Sequence, residues 1–362
     1  MMERGRCGKA GKRAFLGIRV SFFFALLCVS VNSMPGQQSS SAASGAAGEA
    51  DLPALRALID KGHVTEALRQ LDLLAARHPE PAGVERLRGV AFYAQNKFPE
   101  ADRALATALQ QDSKDVEAAE MRGLTLFRLG RSAEAIPVLE GLHTWSPNTK
   151  VDPSYVLALC YIDVRRYDDA RHAFARQYGF EPDSAAAYQL AGRMLLRREV
   201  LPPAQQFARK AVELNPNLPL THQLLGEISL ANQQLAEAVT EFEKERALNP
   251  LYGGIYDRLG DAYTRSGDYQ KAQQALEQAM LLEPNSTGPF ILMGKVLLKR
   301  QDPAGATSYL ERAARMDPSN FMTHSLLGQA YRMMGRTEDA DREAALGQRL
   351  QSGGRSVQDP AR

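Results

Sequence analysis

The residues of this chain whose types could support chemistry are six histidines, three cysteines and one glycine-lysine segment. A metal site needs several ligands that converge on one point. The histidines are scattered, with at most one in each helix predicted below, and they are His63, His78, His143, His172, His222 and His324. The sequence has no HExxH and no GxxxxGK[ST] motif, and no predicted strand precedes the GKAGKR segment at residues 8–13. It therefore predicts no catalytic site, no metal site and no cofactor, and the chain is not expected to be an enzyme.

The sulfur-containing residues are also better explained by packing. Cys7 and Cys28 lie near the N-terminus and leave only Cys160 in the rest of the chain, so no disulfide can form there. A lone cysteine is most simply a small buried apolar residue. The helical spacing of Met293 and its neighbours Met322, Met333 and Met334 likewise favours core or groove packing over a soft-ligand site.

The charge distribution argues against a nucleic-acid partner. The formal net charge is +2, but residues 1–34 hold six basic residues and one acidic residue. The remainder is therefore close to neutral and slightly acidic. A nucleic-acid binder normally carries a basic excess because phosphate contacts dominate its affinity.

The N-terminal segment predicts export. A basic stretch precedes the uncharged run VSFFFALLCVSV at residues 20–31, an order typical of a secretory signal peptide, and cleavage after Ser33 would give a signal peptide at residues 1–33. Two alternatives stay open, an uncleaved anchor at residues 14–34 and lipidation of Cys28. A spanning helix takes about 20 apolar residues, so the apolar run alone is short. Residues 34–50 are small and polar, which indicates a flexible linker.

A period of 34 residues, lengthened once near Lys150, organises the rest of the chain. Prolines mark it at Pro182, Pro216, Pro250, Pro284 and Pro318. A small residue recurs 24 positions before each proline site: Gly89, Gly123, Ala158, Gly192, Gly226, Gly260, Gly294 and Gly328. An alanine series keeps the same period: Ala67, Ala101, Ala135, Ala170, Ala204, Ala238, Ala272, Ala306 and Ala340.

These positions resemble the tetratricopeptide-repeat family, whose motif has a small residue at position 8, an aromatic at 11, Ala at 20, a large apolar residue at 24, Ala at 27 and Pro at 32. The resemblance implies an all-α, right-handed superhelical solenoid of about nine helix-turn-helix repeats. It covers residues 51–351, with repeats starting near 48, 82, 116, 151, 185, 219, 253, 287 and 321, and with a disordered tail at 352–362. Pro137 falls inside a predicted second helix, where we expect a kink or a late start.

The small residues have a steric interpretation. Each repeat would contain a first helix, A, and a second helix, B, that cross where positions 8 and 20 meet. A glycine inside a helix costs about 1 kcal/mol relative to Ala, so its recurrence implies a close approach of the two backbones. Repeat one departs from the motif with Leu55 at position 8, which puts its crossing in doubt.

In this family the concave groove is lined by positions 2, 5, 9, 12 and 13 of helix A. The resemblance therefore implies a partner-binding groove lined by Val90, Tyr93, Leu124, Phe127, Tyr155, Leu159, Ile162, Arg193 and Arg197. Its N-terminal half is apolar and aromatic, and its C-terminal half is polar, with Asp257 and Asp261 in repeat seven. The alternative is that several of these side chains pack between adjacent A helices. Position 5 has no Lys and position 9 no Asn, so a clamp for acidic C-terminal peptides is not expected.

The sequence thus leads to two functional hypotheses. The first is an exported interaction scaffold, periplasmic or extracellular, that binds a peptide or protein partner in the groove. The second is a non-catalytic component of an envelope assembly or secretion complex, anchored in the membrane by residues 14–34. In both, the membrane is a partner only if the N-terminal segment is uncleaved.

Overall fold

The computed structural model describes residues 51–145 and 153–357, and every regular element in these residues is an α-helix. The helices are α1 (Leu52–Asp60), α2 (Val64–Ala75), α3 (Val84–Ala94), α4 (Phe98–Gln111), α5 (Val116–Arg128), α6 (Ser132–Trp145), α7 (Ser154–Asp163), α8 (Tyr167–Tyr178), α9 (Ala185–Arg197), α10 (Leu201–Leu214), α11 (Thr221–Ala231), α12 (Leu235–Leu248), α13 (Gly253–Ser266), α14 (Tyr269–Leu282), α15 (Thr287–Lys299), α16 (Pro303–Met316), α17 (Phe321–Met333) and α18 (Thr337–Val357). The predicted all-α repeat solenoid is confirmed. The N-terminal leader, the linker and the inserted residue near Lys150 lie outside the described residues.

Each odd-numbered helix is a helix A and each even-numbered helix is the helix B of the same repeat. Six helices begin with a side-chain cap that accepts a backbone N–H of the first turn, as expected for Asp, Ser and Asn at this position. The capping residues are Asp51, Asp115, Ser184, Asp268, Asp302 and Asn320.

The turn between the two helices of a repeat has one conformation throughout the array. Position 15 has a positive φ in every repeat, from 58° at Asn96 to 85° at Gly62. Glycine fills it four times, at Gly62, Gly130, Gly267 and Gly335, and the other occupants are Asn96, Arg165, Glu199, Gln233 and Gln301. A left-handed residue of this kind ends one helix and lets the chain reverse direction.

Most consecutive odd-numbered helices contact one another, as α1 with α3, α3 with α5 and α13 with α15. Even-numbered helices pack on the odd-numbered helices before and after them, and no comparable contact joins successive even-numbered helices in the described residues. The odd-numbered helices therefore lie on the tighter side of the stack.

Two boundaries differ from the sequence predictions. Helix α6 begins at Ser132, at the same repeat position as the other even-numbered helices, so the late start considered for Pro137 is wrong. Helix α18 continues to Val357, six residues past the predicted end of the array at residue 351. No proline interrupts this segment before Pro360.

Candidate functional site

The small residues of the repeat set the distance between the two helices of each pair. All nine alanines at position 20 are buried, with at most 2% exposure. A Cβ atom added at Gly260 would lie 2.5 Å from Leu276 Cδ2, the residue at position 24 of the same repeat. Gly89, Gly123, Gly226 and Gly294 face the position-24 side chain of their own repeats at similarly short range. The large residue at position 24 therefore fills the volume that the glycine leaves empty, as the motif implies.

Repeats five and nine use a closer crossing, because position 24 is Ala208 or Ala344 there. A Cβ added at Gly192 would lie 3.3 Å from the carbonyl oxygen of Ala204, and at Gly328 3.1 Å from that of Ala340. Backbone atoms are thus at least as near to these glycines as any side chain, with Leu224 Cδ2 also 3.3 Å from the added atom at Gly192. Both kinds of crossing need a glycine at position 8. At one kind it makes room for a large side chain at position 24, and at the other it lets the two helix backbones come close.

In each repeat, one side of helix A packs against helix B. Positions 2, 5, 9, 12 and 13 lie on a different side of helix A. We call the surface formed by these positions on the odd-numbered helices the groove face. It contains every side chain that the sequence assigns to partner binding.

The predicted groove residues divide into buried and accessible sets. Val90, Leu159 and Ile162 are at most 8% exposed, so in this conformation they pack between helices, as the alternative interpretation proposed. The side chains that keep partial exposure are Tyr93, Leu124, Phe127, Tyr155 and Arg193, and Arg197 is exposed. The accessible part of the predicted groove is therefore smaller and more aromatic than the sequence indicates.

The accessible aromatic residues are held in place by neighbouring rings and guanidinium groups. Tyr155 packs edge-on against Phe174 with ring centroids 5.8 Å apart, and Arg198 lies 6.0 Å from the centroid of the Phe127 ring. Such contacts fix the rings while leaving one side open.

Ion pairs occupy the groove face at the N-terminal end of the array. Arg56 of α1 pairs with Glu117 of α5, and Arg86 of α3 lies 2.8 Å from Asp115 and 3.1 Å from Glu117. These pairs join three successive odd-numbered helices. Burial, with a contribution from Glu117, raises the pKa of the neighbouring Glu120 carboxyl.

The groove face of repeats five to seven carries polar side chains with uneven hydrogen bonding. Gln189 donates to the carbonyl oxygen of Pro219 at 2.6 Å and to Thr221 Oγ1 at 2.8 Å. Arg193 donates to the carbonyl oxygen of Leu220 at 3.3 Å. At the same repeat position as Gln189, Gln223 Oε1 and Asp257 Oδ1 are buried and have no hydrogen-bond partner among the described residues. Sequence reasoning noted the acidity of Asp257 but not these unsatisfied acceptors.

Models of the tetratricopeptide repeat match residues 52–101, 86–144 and 291–352, and a second model of the same repeat matches residues 254–286. Together these matches cover just over half of the chain. The chain belongs to the tetratricopeptide-repeat family. Members of this family bind peptide or protein partners and are generally non-catalytic.

Several solved tetratricopeptide-repeat (TPR) structures are similar to this chain at low identity. A match to the APC/C hetero-tetramer Cut9-Hcn1 has 17% identity and a TM-score of 0.43, and covers 77% of this chain and 55% of that one. This chain thus spans about half the length of that relative. MamA from Desulfovibrio magneticus RS-1 has 21% identity and a TM-score of 0.42, and the match covers 49% of this chain and 98% of that one. YrrB, described as a TPR protein with an unusual peptide-binding site, has 20% identity and a TM-score of 0.42, and the match covers 51% of this chain and 94% of that one. No curated protein matches the sequence.

Other surfaces of this TPR protein offer weaker sites. Clefts of about 320 and 480 Å³ lie beside even-numbered helices, the first lined by residues such as Tyr263 and Lys271 and the second by Gln205 and Arg209. Their linings are mostly charged and amide side chains.

Two of the histidines form structural pairs with glutamates. His222 Nδ1 lies 2.6 Å from Glu241 Oε2, and His324 Nδ1 lies 2.6 Å from Glu343 Oε2, which are equivalent positions in repeats six and nine. Within the described residues no group of three His, Cys, Asp or Glu side chains could hold a metal ion. In the same part of the chain, no helix has the length and apolar character needed to cross a bilayer.

Proposed function

We propose that this TPR scaffold is exported and binds a polypeptide on its groove face, in the cell envelope or outside the cell. The observation that carries the proposal is the series of partly exposed aromatic side chains on three successive odd-numbered helices, Tyr93 on α3, Phe127 on α5 and Tyr155 on α7. Aromatic residues with partial exposure are frequent binding hot spots. Arg193 and Arg197 continue the same face into repeat five.

Export is supported by the sequence of the leader. Its basic start and short apolar run are typical of a secretory signal, and the single cysteine outside the leader is buried. The test is the N-terminus of the mature protein. An N-terminus at or near Met34 supports cleavage and release, whereas an intact leader in a membrane fraction supports the anchored envelope component as the alternative function.

The binding proposal is tested with the double variant Phe127→Ala and Tyr155→Ala. We expect partner capture from envelope extract to fall at least about tenfold, since each aromatic hot spot contributes on the order of 2 kcal/mol. Captured protein is quantified by mass spectrometry, and helicity is checked by circular dichroism.

The matched control is Tyr167→Ala with Tyr269→Ala. These residues are also partly buried aromatics, but they begin the even-numbered helices α8 and α14. The control should retain its partner. Equal capture by the groove variant and the wild type would refute the groove assignment.

A further inference from the structure

We propose that the groove face of α11, α13 and α15 holds a subsite for a basic side chain, and that Asp257 is the counter-ion for a Lys or Arg residue of the bound polypeptide. The inference deepens the proposed function, because it uses the same face and names the chemistry of the partner. It concerns the polar half of the groove, where the sequence noted Asp257 and Asp261 but predicted no specific subsite.

The carboxylate of Asp257 lacks a partner. It lies on α13 in a partly buried position, and its Oδ1 atom is buried without a hydrogen bond. No ion pair to it occurs among the described residues, although 27 such pairs join other side chains there. A partly buried carboxylate with one buried, unpaired oxygen carries a desolvation cost, which a neighbouring cation would offset.

A glycine leaves room beside this carboxylate. A Cβ atom added at Gly288, in the first turn of α15, would lie 3.5 Å from Oδ1 and 3.7 Å from Oδ2 of Asp257. A longer side chain at this position would extend from that point into the space next to the carboxylate. The N-terminal dipole of α15 also favours a negative charge at this place.

The surrounding charges do not neutralise Asp257. Burial raises the pKa of its carboxyl and Arg258 lowers it, while the acidic groups Asp261 and Glu283 raise it by smaller amounts. Arg258 is itself 3.1 Å from Glu227, and Asp261 is 2.8 Å from Arg265. Both neighbours are therefore already paired, and a cation brought by a ligand would relieve the remaining acidic excess.

A second unsatisfied acceptor points to a ligand on the same face. Gln223 is only 6% exposed, and its Nε2 donates to Glu227 at 2.8 Å, which leaves its buried Oε1 without a donor. Gln223 and Asp257 occupy position 5 of adjacent repeats, so their side chains leave their helices on the same side. Gln189, one repeat earlier, donates from its Nε2 to the next repeat, and its Oε1 is not among the buried acceptors without a donor, so an unsatisfied acceptor is not general to position 5.

The two acceptors fit the donors of an extended peptide. Gln223 and Asp257 lie on α11 and α13, the first helices of adjacent repeats. An extended peptide that crosses these two helices would offer a backbone N–H to Gln223 and, a few residues further on, a Lys or Arg side chain to Asp257. An acidic side chain in that place would be repelled by Asp257 and by the nearby Asp261 and Glu283.

The experiment measures fluorescence anisotropy of labelled nine-residue peptides on the purified chain without its leader, residues 34–362. Three peptides share an Ala and Ser sequence and differ at the central residue, which is Lys, Gln or Glu. We expect the Lys peptide to bind at least about tenfold more tightly than the others at low salt, and its affinity to fall as salt is added.

Two variants assign the effect to the carboxylate. Asp257→Asn keeps the shape but removes the charge, and we expect it to weaken binding of the Lys peptide at least about tenfold; Asp257→Glu, which keeps the charge, should retain most of the binding. The control is Glu277→Gln on α14 of the same repeat, where the carboxylate is exposed and accepts a hydrogen bond from Gln273 at 3.0 Å. It should bind like the wild type.

Three results would overturn the inference: no binding of the Lys peptide, no preference for it over the Gln peptide, or undiminished binding by Asp257→Asn. None of them touches the capture experiment with Phe127 and Tyr155, which decides the proposed function separately. Loss of partner capture in that double variant, together with no Lys preference, would leave a groove-binding scaffold without the basic-residue subsite.

Discussion

At the scale of single residues, the glycine at position 8 determines how closely helices A and B approach. In repeat seven the side chain of Leu276 occupies the volume that any Cβ at Gly260 would need, and Leu276 is itself fully buried. The Leu276 side chain cannot move without disturbing its neighbours, because protein interiors are close-packed.

The variant Gly260→Ala should destabilise the protein by about 1 kcal/mol. Overpacking of a well-filled core costs about 1–3 kcal/mol, and replacing a helical glycine by Ala returns about 1 kcal/mol. The free energy of unfolding in urea measures the result. The control Gly288→Ala makes only an ordinary contact at 3.5 Å and should be neutral or stabilising.

A compensating change sharpens this prediction. Adding Leu276→Ala to Gly260→Ala should cost less than the sum of the two single changes, since the alanine at position 24 makes room for the new methyl group. A strictly additive double variant would show that the two side chains do not compete for one volume.

At the scale of elements, the turn at position 15 and a tyrosine bridge join the helices. Tyr263 donates to Glu243 at 2.9 Å and Tyr331 donates to Glu311 at 2.8 Å, while Tyr161 makes the same bond to Glu140. In each case the tyrosine of one repeat bonds helix B of the preceding repeat. The bond therefore fixes the stacking of one repeat on the next.

The positive φ at position 15 predicts that replacing a non-glycine residue there by glycine stabilises the protein. Glu199 and Gln301 have φ values of 59° and 62°, a region in which a side chain is strained. Glu199→Gly and Gln301→Gly should each stabilise the protein by up to about 1 kcal/mol.

The reverse change at the same repeat position serves as the control. Gly267→Ala introduces a Cβ at φ 81° and should destabilise by about 1 kcal/mol. Thermal unfolding of the three variants measures both directions. A loss of stability in both glycine variants would contradict the role given to position 15.

At the scale of the whole molecule, the bridging tyrosines should make the protein less stable as the pH rises into the alkaline range. Burial and the hydrogen bond to a glutamate raise the pKa of Tyr263 to about 12 and that of Tyr331 to about 12, and the same causes raise the pKa of Tyr161 well above its ordinary value. In the unfolded chain a tyrosine ionises near pH 10. Between pH 10 and 12 the unfolded state therefore binds fewer protons than the folded state, and stability falls as pH rises.

We expect the urea midpoint of the wild type to decrease from about pH 10 to pH 12. The triple variant Tyr161→Phe, Tyr263→Phe and Tyr331→Phe should start at a lower midpoint and lose less of it over this range, since its rings cannot ionise. Tyr178→Phe, at an exposed ring, is the control and should follow the wild type. Parallel curves for the wild type and the triple variant would rule out the tyrosines as the cause.

The sequence by itself determined the repeat and its register. Each helix crossing requires a buried alanine and, in all repeats but the first, a small residue at position 8. These requirements are local, so they recur in the sequence with the 34-residue period. The turn was only partly visible, because five of its nine positions hold residues other than glycine and their positive φ is imposed by the helices on either side. Binding by this family also follows from the sequence, while export, anchoring and the identity of the partner stay predictions.

Only the tertiary structure decided which groove side chains are accessible and which polar groups are satisfied. Val90 and Phe127 look alike as groove positions in the sequence, yet one is buried and the other partly exposed. Gln189 and Gln223 share a residue type and a repeat position, but Gln189 Nε2 donates to groups about 30 residues further along the chain, whereas Gln223 Nε2 donates to Glu227 of its own helix and its Oε1 has no donor. The physical reason is that exposure and hydrogen bonding depend on how adjacent repeats pack. A 34-residue pattern specifies the fold of each repeat, but it does not specify which side chains of the neighbouring repeats contact it.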